Sequence, residues 1–356
     1  MKIYKTIKVL MVFGFTLLLS CSGDDSANVI YNINEESLLI KNYEKVLRNQ
    51  EVVFDLIGDN NANYTEFAIF YVNNVAIAGN VFSSPVEGVF NVYAEYDLAG
   101  TMTETNVTIV EVFIPKRKVF IEEYTGTWCG FCPRIVSSIG EVRGQSEDVV
   151  VVAIHGNSIY SGTDPLAVTE GMFLKNYFEV PGYPTGIINR DEFWEYETIT
   201  PHDFIISQPL AFAGTEVNTS IGINSQLIGV DLTVEIKVIS ETDITSKKLV
   251  VFLLEDGILL DQANNYYGTP ESPWYQMGNP IVDFEHNDVL RMSITDPLGN
   301  VISNISALEE RSINYTLTIP VDYNSSNLSI VAMVVNEDDT VINAQFAEIN
   351  ENKEYE

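Results

Sequence analysis

The chain has 356 residues and a formal net charge of -31, from 50 acidic against 19 basic residues. This length predicts more than one domain, and a hydrophobic content of 46% is enough for packed cores. So acidic a surface repels phosphate groups, which argues against nucleic acid as a partner and against a general attraction to anionic membranes.

The N-terminus has the parts of an export signal. Lys2, Lys5 and Lys8 form a positive segment, and a short apolar run from Val9 to Leu19 follows it. That run is too short to span a bilayer comfortably as a helix. Residues 1–20 are therefore predicted to be a signal peptide.

Cys21 directly follows the predicted signal peptide. The order Leu18-Leu19-Ser20-Cys21 resembles the lipobox of bacterial lipoproteins. In a lipobox the cysteine thiol accepts a diacylglycerol; the alternative is an ordinary signal peptide with a chance cysteine. Residues 21–29 are predicted to be a lipidated, flexible tether. Because Ser22 follows the cysteine, the resemblance implies lipid anchoring at the outer membrane, on either its periplasmic or its cell-surface face.

Residues 30–114 carry short runs that alternate apolar and polar residues, separated by turn signals such as Asn73-Asn74. Short strands at this spacing predict a β-sandwich. The segment resembles the immunoglobulin-like modules of exported bacterial proteins and holds no catalytic cluster, so we expect a spacer or an interaction module. The predicted strands are Glu51–Leu56, Glu66–Val72, Gly88–Tyr96 and Asn106–Val112.

Residues 115–209 alternate strands and helices, which predicts a small α/β domain with the order β-α-β-α-β-β-α. The strand Asp148–Ile154 is almost wholly apolar, as expected in a sheet covered on both faces. The other predicted elements are strands at Val119–Tyr124, Pro184–Asn189 and Glu192–Glu197, and helices at Cys132–Val142, from a cap at Asp164 to Phe178, and from a cap at Thr200.

Residues 210–356 return to strand patterns and predict an antiparallel β-sandwich. Together the three segments predict a multidomain α+β fold: an N-terminal immunoglobulin-like sandwich, a central α/β domain and a C-terminal sandwich. An aromatic loop lies between Gly257 and His286 and contains Tyr266 and Tyr275. Long loops are often functional, but packing of this loop onto a neighbouring domain explains it equally well.

The motif Trp128-Cys129-Gly130-Phe131-Cys132-Pro133 carries the chemistry. If Cys21 is acylated, Cys129 and Cys132 can pair only with each other, and so small a disulfide loop adds little stability. The motif follows a predicted strand and opens a helix, where backbone N–H groups and the helix dipole lower the pKa of the Cys129 thiol. Cys129 would attack a substrate sulfur, and Cys132 would resolve the mixed disulfide.

A zinc site is the alternative explanation of this motif. Zinc needs three or four protein ligands. The chain has no second cysteine pair, and His155, His202 and His286 are not at zinc-ligand spacing from the motif. No metal and no cofactor are therefore expected beyond a redox-active disulfide between Cys129 and Cys132.

These features resemble thioredoxin from about Lys118 to Pro209, so the central domain is expected to be thioredoxin-like. The resemblance implies a cis-proline at Pro184, beside the sulfurs, with the Tyr183 backbone available to an extended substrate; a trans turn proline is the alternative. It also implies a buried acid at Glu123, six residues before the first cysteine, which relays the proton of Cys132.

The neighbours of these residues have more ordinary expected roles. Trp128 and Phe131 are expected to contact substrate beside the disulfide. Glu122, on the opposite face of the strand from Glu123, is expected to be solvated near the sheet edge. His155 is expected to be a structural histidine. Since Phe131 cannot stabilise a thiolate, a reductase or isomerase is slightly favoured over an oxidase.

The stretches Phe120–Pro133 and His286–Arg291 are similar to segments of the outer-membrane-protein-28-related lipoproteins, a resemblance that runs from about Lys118 to the C-terminus. It implies an outer-membrane location. Our first hypothesis is an anchored thiol–disulfide oxidoreductase that acts on exported cysteine-containing proteins and is served by a redox partner. The second is a surface adhesion or ligand-binding lipoprotein that uses the thioredoxin fold as a scaffold and the aromatic loop as its surface.

Overall fold

The computed structural model describes residues 38–58, 61–196 and 203–356. The predicted signal peptide, Cys21, the tether and the helix start at Thr200 lie outside these residues. The structure is 46% strand and 10% helix, so this is mainly a β protein. In the three described ranges no helix is both long and apolar enough to cross a membrane.

The first nine strands form two sheets around a shared core. One sheet has the order β1-β3-β6, and the other has the order β2-β9-β7-β4-β5 with β8 added on β7. Side chains alternate along β3, so Val52 and Phe54 point into the core and pack with Phe70, Val92 and Val110. These strands are β1 (Leu38–Lys41), β2 (Lys45–Leu47), β3 (Val52–Ile57), β4 (Ala68–Val72), β5 (Val75–Ala76), β6 (Val81–Phe82), β7 (Gly88–Leu98), β8 (Thr101–Glu104) and β9 (Thr108–Phe113).

The rest of the chain folds around one long sheet. Its elements are β10 (Val119–Thr125), α1 (Pro133–Arg143), β11 (Val149–His155), α2 (Thr169–Tyr177), β12 (Thr185–Ile188), β13 (Glu192–Phe193), α3 (Ser207–Leu210), β14 (Thr219–Ile228), β15 (Asp231–Ser240), β16 (Lys248–Glu255), β17 (Ile258–Gln262), β18 (Ile281–His286), β19 (Val289–Ser293), β20 (Asn300–Val301), β21 (Glu310–Thr318), β22 (Leu328–Val335), β23 (Val341–Glu348) and β24 (Asn352–Lys353).

Nine of these strands form the long sheet, in the order β13-β12-β10-β11-β19-β16-β22-β23 with β20 paired to β16. A four-stranded sheet, β21-β15-β14-β24, packs on it through a separate hydrophobic core. A two-stranded ribbon of β17 and β18 completes the fold. Helix α1 buries Ile135 and Val142 against Ile121 on one face of the long sheet, and α2 buries Leu174 on the other face.

The predicted fold class, with a separate thioredoxin-like α/β domain between two sandwiches, is wrong. Strand β11 pairs in parallel with β19, with Ala153 opposite Val289, so the predicted central and C-terminal segments share one continuous sheet. Their side chains also share one core, in which Phe120 and Val152 belong to the same buried cluster as Phe252. Strand β11 therefore has no free edge at which a separate domain would end.

Two local predictions in this region are also wrong. Helix α2 begins at Thr169, not at a cap formed by Asp164. Glu122 is fully buried, because β10 is covered on both faces and neither face reaches solvent. One Glu122 carboxylate oxygen accepts a hydrogen bond from Arg190 Nε at 2.8 Å, and the other accepts one from the Tyr124 hydroxyl at 3.0 Å.

The buried ion pair between Arg190 and Glu122 predicts a large effect of mutation, because both side chains are completely inaccessible. Arg190→Met leaves the Glu122 carboxylate without its counter-charge, and we expect a loss of about 3–5 kcal/mol in the free energy of unfolding, measured by urea titration. Adding Glu122→Gln removes the second charge and should recover most of that loss. An Arg190→Met variant as stable as the unmodified protein would contradict this account.

Candidate functional site

Cys129 and Cys132 form a disulfide in the turn between β10 and α1. The Cys129 N–H donates to the Gly126 carbonyl at 2.9 Å, and the Cys132 N–H donates to the Cys129 carbonyl at 3.1 Å, which winds the chain into the helix. Pro133 then opens α1, a position where a missing N–H costs nothing. Cys129 is 4% exposed and Cys132 1%, so Cys129 is the outer residue of the pair.

The part of the aromatic loop where β17 ends packs directly on the turn at residues 126–132, which we call the redox turn. We call residues 262–265 the covering segment. Its N–H groups satisfy turn carbonyls that would otherwise lack partners. The contacts run from Gln262 Nε2 to the Cys129 carbonyl (2.9 Å), from the Ala263 N–H to the Thr127 carbonyl (2.8 Å) and from the Asn265 N–H to the Gly130 carbonyl (2.8 Å).

The close approach of the covering segment explains the glycine between the cysteines. A Cβ atom at Gly130 would lie 2.4 Å from the Asn265 side-chain oxygen, far inside van der Waals contact. Phe131, the other intervening residue, is 52% exposed, and its ring meets the Tyr266 ring edge-on at 5.9 Å. The aromatic loop therefore packs beside the disulfide and leaves one face of Phe131 open to solvent.

The predicted proline wall lies on the other side of the turn. The peptide bond before Pro184 is cis, as the sequence predicts. Pairing of β12 with β10 puts Pro184 beside the end of β10, from which the redox turn starts. The Trp128 and Tyr183 rings meet edge-on at 5.3 Å, and Trp128 Nε1 donates to the Gly156 carbonyl at 2.8 Å. A Cβ at Gly156 would overlap the Tyr183 hydroxyl, at 1.8 Å, so only glycine permits this arrangement.

Glu123 lies behind the disulfide, with only 5% of its surface exposed. It lines a cavity of about 180 Å³ together with Cys132. Burial, which disfavours the charged form, raises the pKa of Glu123 to about 8, and a hydrogen bond with Thr125 opposes this only in part. A carboxyl with this pKa exchanges its proton near neutral pH, which suits it to take up the proton of a neighbouring thiol.

The lining of the same cavity also contains residues that the sequence did not assign to the site, including His286 and Gln262. His155 also lines it, and its Nδ1 lies 3.3 Å from Asp164. Asp164 in turn accepts hydrogen bonds from the Thr127 N–H at 2.6 Å and the Thr127 hydroxyl at 3.0 Å. Burial acts to raise the pKa of Asp164, but these hydrogen bonds and His155 outweigh burial and lower it.

The signals for these missed residues were present but ambiguous. His286 begins the stretch His286–Arg291 that resembles a family segment, but nothing local linked that stretch to the cysteines. Asp164 was assigned as a helix cap. Within residues 38–58, 61–196 and 203–356, no group of three or more His, Cys, Asp or Glu side chains could hold a metal ion.

The raised pKa of Glu123 predicts a pH-dependent stability. Between pH 4.5 and about 8 the unfolded chain loses the Glu123 proton while the folded protein keeps it, so stability is full below this window and falls as pH rises through it. At pH 7 this difference in pKa lowers the free energy of unfolding by about 3 kcal/mol, at about 1.36 kcal/mol per pKa unit. Glu123→Gln, which removes this ionisation, should therefore stabilise the oxidised protein increasingly from pH 4.5 to pH 8.

Urea unfolding at several pH values measures this difference. Glu141→Gln, at an exposed position on α1, is the matched control and should leave the pH profile unchanged. Parallel stability profiles of Glu123→Gln and the unmodified protein would contradict the raised pKa.

Comparison with known proteins places the chain in a family. Residues 172–353, just over half of the chain, match the family described as outer membrane protein Omp28. The chain therefore belongs to the Omp28 family, and the family name suggests an outer-membrane location. The matched range contains Pro184, Gln262 and His286 but begins after the disulfide, whereas the resemblance was expected from Lys118 onward. The chain matches no curated protein.

Two solved structures are similar over about two thirds of the chain. One is HBP35 of Porphyromonas gingivalis, with 19% identity, 67% of this chain and 77% of the other covered, and a TM-score of 0.47. The other is protein AGR_C_4864 from Agrobacterium tumefaciens, with 14% identity, 68% of this chain and 98% of the other covered, and a TM-score of 0.40.

Proposed function

We propose that this chain is a thiol–disulfide oxidoreductase of the outer membrane that acts on exported cysteine-containing proteins. The observation that carries the proposal is the Cys129–Cys132 disulfide in the turn before α1, with the high-pKa carboxyl of Glu123 on the cavity that Cys132 lines. A structural role explains this arrangement poorly, because a disulfide across two intervening residues restricts the unfolded chain little.

The two cysteines have different surroundings, which assigns their roles. Cys129 is the more exposed of the two, and Trp128 and the exposed Phe131 are near it in the chain, so a substrate disulfide would arrive there. Cys132 is fully buried beside the cavity that Glu123 lines. We assign Cys129 as the nucleophile and Cys132 as the resolving thiol. Pro184 and Tyr183, beside the turn, would align an extended substrate strand.

The exchange reaction balances in atoms and electrons. In the reduced protein the Cys129 thiolate attacks a substrate disulfide, forms a mixed disulfide and releases one substrate thiolate, which takes a proton from solvent. Once Glu123 has lost its own proton, Cys132 gives its proton to the Glu123 carboxylate and attacks Cys129, which restores the internal disulfide and releases the second substrate thiolate. Two electrons pass to the substrate, and a dithiol donor is needed to reduce the pair again.

The direction of electron flow is proposed to be towards the substrate. A strong oxidant needs a cation or polar group that stabilises the reduced thiolate. Arg134, in the first turn of α1, instead stacks over the Tyr196 ring at 4.4 Å and the Phe204 ring at 5.4 Å. A reductase or isomerase is therefore favoured over an oxidase.

The proposed location rests on two observations, the family of the chain and its N-terminal sequence. The Omp28 family name suggests the outer membrane, and the lipobox-like order before Cys21 supports a lipid anchor there. The protein would meet the membrane through this lipid only and would act on either the periplasmic or the cell-surface face.

The alternative, a binding lipoprotein that captures a ligand with the aromatic loop, gains less support. The first residues of that loop are committed to the redox turn through their backbone N–H groups. Tyr267 and Tyr275 stay exposed, but neither lines the cavity of about 210 Å³ that Tyr266 and Trp274 form with Phe131 of the redox turn. Partner capture that survives loss of both cysteines would favour this alternative.

The proposed function predicts distinct effects of the two cysteines. Protein with Cys21→Ser should catalyse the reduction of a test protein disulfide by a dithiol donor. Cys129→Ser should lower the rate at least about 100-fold, because the nucleophile is gone. Cys132→Ser should instead accumulate mixed disulfides, visible on non-reducing gels. An unchanged rate in Cys129→Ser would end the proposal, and Gly182→Ala, in open space, serves as the neutral control.

A further inference from the structure

More ionisable groups line the cavity behind the disulfide than the exchange reaction uses. Cys132 and Glu123 line one side of it, and His286 from the ribbon strand β18 lines the other. Three buried atoms on this cavity, Glu123 Oε1, His286 Nε2 and His155 Nδ1, have no hydrogen-bond partner in the protein. A polar cavity of about 180 Å³ with such groups has room for several water molecules, each of which needs polar partners of this kind.

His286 is held in one orientation and one tautomer. Its ring hydrogen-bonds the Leu260 backbone in the paired strand β17. Since Nε2 is the nitrogen without a partner, Nδ1 makes this bond and carries the proton. The ring also packs against the Phe284 ring at 4.9 Å and the His155 ring at 5.2 Å. Nε2 is thus a fixed lone-pair acceptor.

Burial is the main reason that His286 stays neutral. Burial and the neighbouring His155 lower the pKa of His286 to about 4, and Asp164 and the Leu260 hydrogen bond oppose this only partly. The titratable and charged groups that face it are Glu123 on β10, His155 on β11, Asp164 before α2, Arg143 on α1, and Glu285 and Asp288 beside it in the chain. Arg143 and Asp288 neutralise each other through two hydrogen bonds, at 2.7 and 2.8 Å.

We propose that His286 is a positioning residue for the resolving step: its Nε2 accepts a hydrogen bond from water in the cavity, and this water carries the Glu123 proton to solvent. The inference rests on the proposed exchange reaction. It gives the segment His286–Asp288 a role at the redox site. Asp288 lines the cavity together with Arg143, to which it is hydrogen-bonded, and His286 holds the water beside Glu123.

The proton balance of this step is complete. Cys132 gives its proton to Glu123 and becomes the thiolate that displaces the substrate sulfur from Cys129. Glu123 carries a proton of its own at neutral pH and must lose it before it can accept the proton of Cys132, but it has no direct route to solvent because the side chain is buried. Water held by His286 takes the proton, solvent receives it, and His286 itself ends the cycle neutral.

The resolving step can be measured without a natural substrate. In reduced Cys21→Ser protein, Cys129 attacks dithiobis(nitrobenzoate) and releases one thionitrobenzoate. Cys132 then attacks Cys129 and releases the second thionitrobenzoate. The rate of this second release is measured by absorbance at several pH values. His286→Phe keeps the ring volume and removes the acceptor. His286→Gln places an amide oxygen near the position of Nε2 and is the matched control.

We expect the second release in His286→Phe to be about tenfold slower below pH 7, with the difference closing as pH rises and solvent base takes over. His286→Gln should remain within about twofold of the unmodified protein. An unshifted pH profile in His286→Phe would overturn the proposal. Equal slowing of both variants at every pH would also overturn it, because that result reports a packing defect.

A second measurement keeps the proposal testable if His286→Phe does not fold. In the unmodified protein, second release should slow in deuterium oxide, with a curved dependence on deuterium fraction because more than one proton moves; no isotope effect would contradict the relay. Failure of the proposed function is separate. It would appear as absent catalysis on protein disulfides, while the release from Cys129 stays measurable.

Discussion

The hydrogen bonds from the covering segment to the carbonyl groups of the redox turn are the contacts on which the site depends. They join Cys129 and Gly130 to residues more than 130 positions later in the chain. Because Gln262 ends β17, the same contacts fix the β17–β18 ribbon against α1. The ribbon then carries His286 to the cavity behind Cys132. This one set of hydrogen bonds thus positions both the segment that covers the disulfide and the ribbon that lines the cavity behind it.

The continuous sheet makes this geometry rigid. Strand β11 ends at His155 and pairs with β19, which starts three residues after His286. The two histidines therefore approach each other as a consequence of strand pairing. Both faces of β10 are buried, but the two adjacent acids Glu122 and Glu123 have different surroundings. Glu122 is paired with Arg190, whereas burial raises the pKa of Glu123.

Local sequence signals predicted the strand, the disulfide turn and the helix, because a strand, a cysteine pair and a proline-started helix are all encoded within a few residues. The cis bond before Pro184 and the burial of Glu123 agree with that prediction. The long sheet was not predictable from the same signals, since pairing of Ala153 with Val289 joins distant segments. The almost wholly apolar β11 was a clue, because such a strand is poorly suited to a sheet edge. The pairing of Glu122 with Arg190 left no local pattern at all.

The account depends on Cys129 being the reactive sulfur and Cys132 the protected one. Alkylation of the fully reduced protein with limiting iodoacetamide at pH 6.5, followed by mass spectrometry of each cysteine peptide, measures this difference directly. The account predicts that Cys129 is labelled first and that Cys132 remains unmodified until Cys129 is consumed. Equal labelling of the two cysteines, or faster labelling of Cys132, would contradict it.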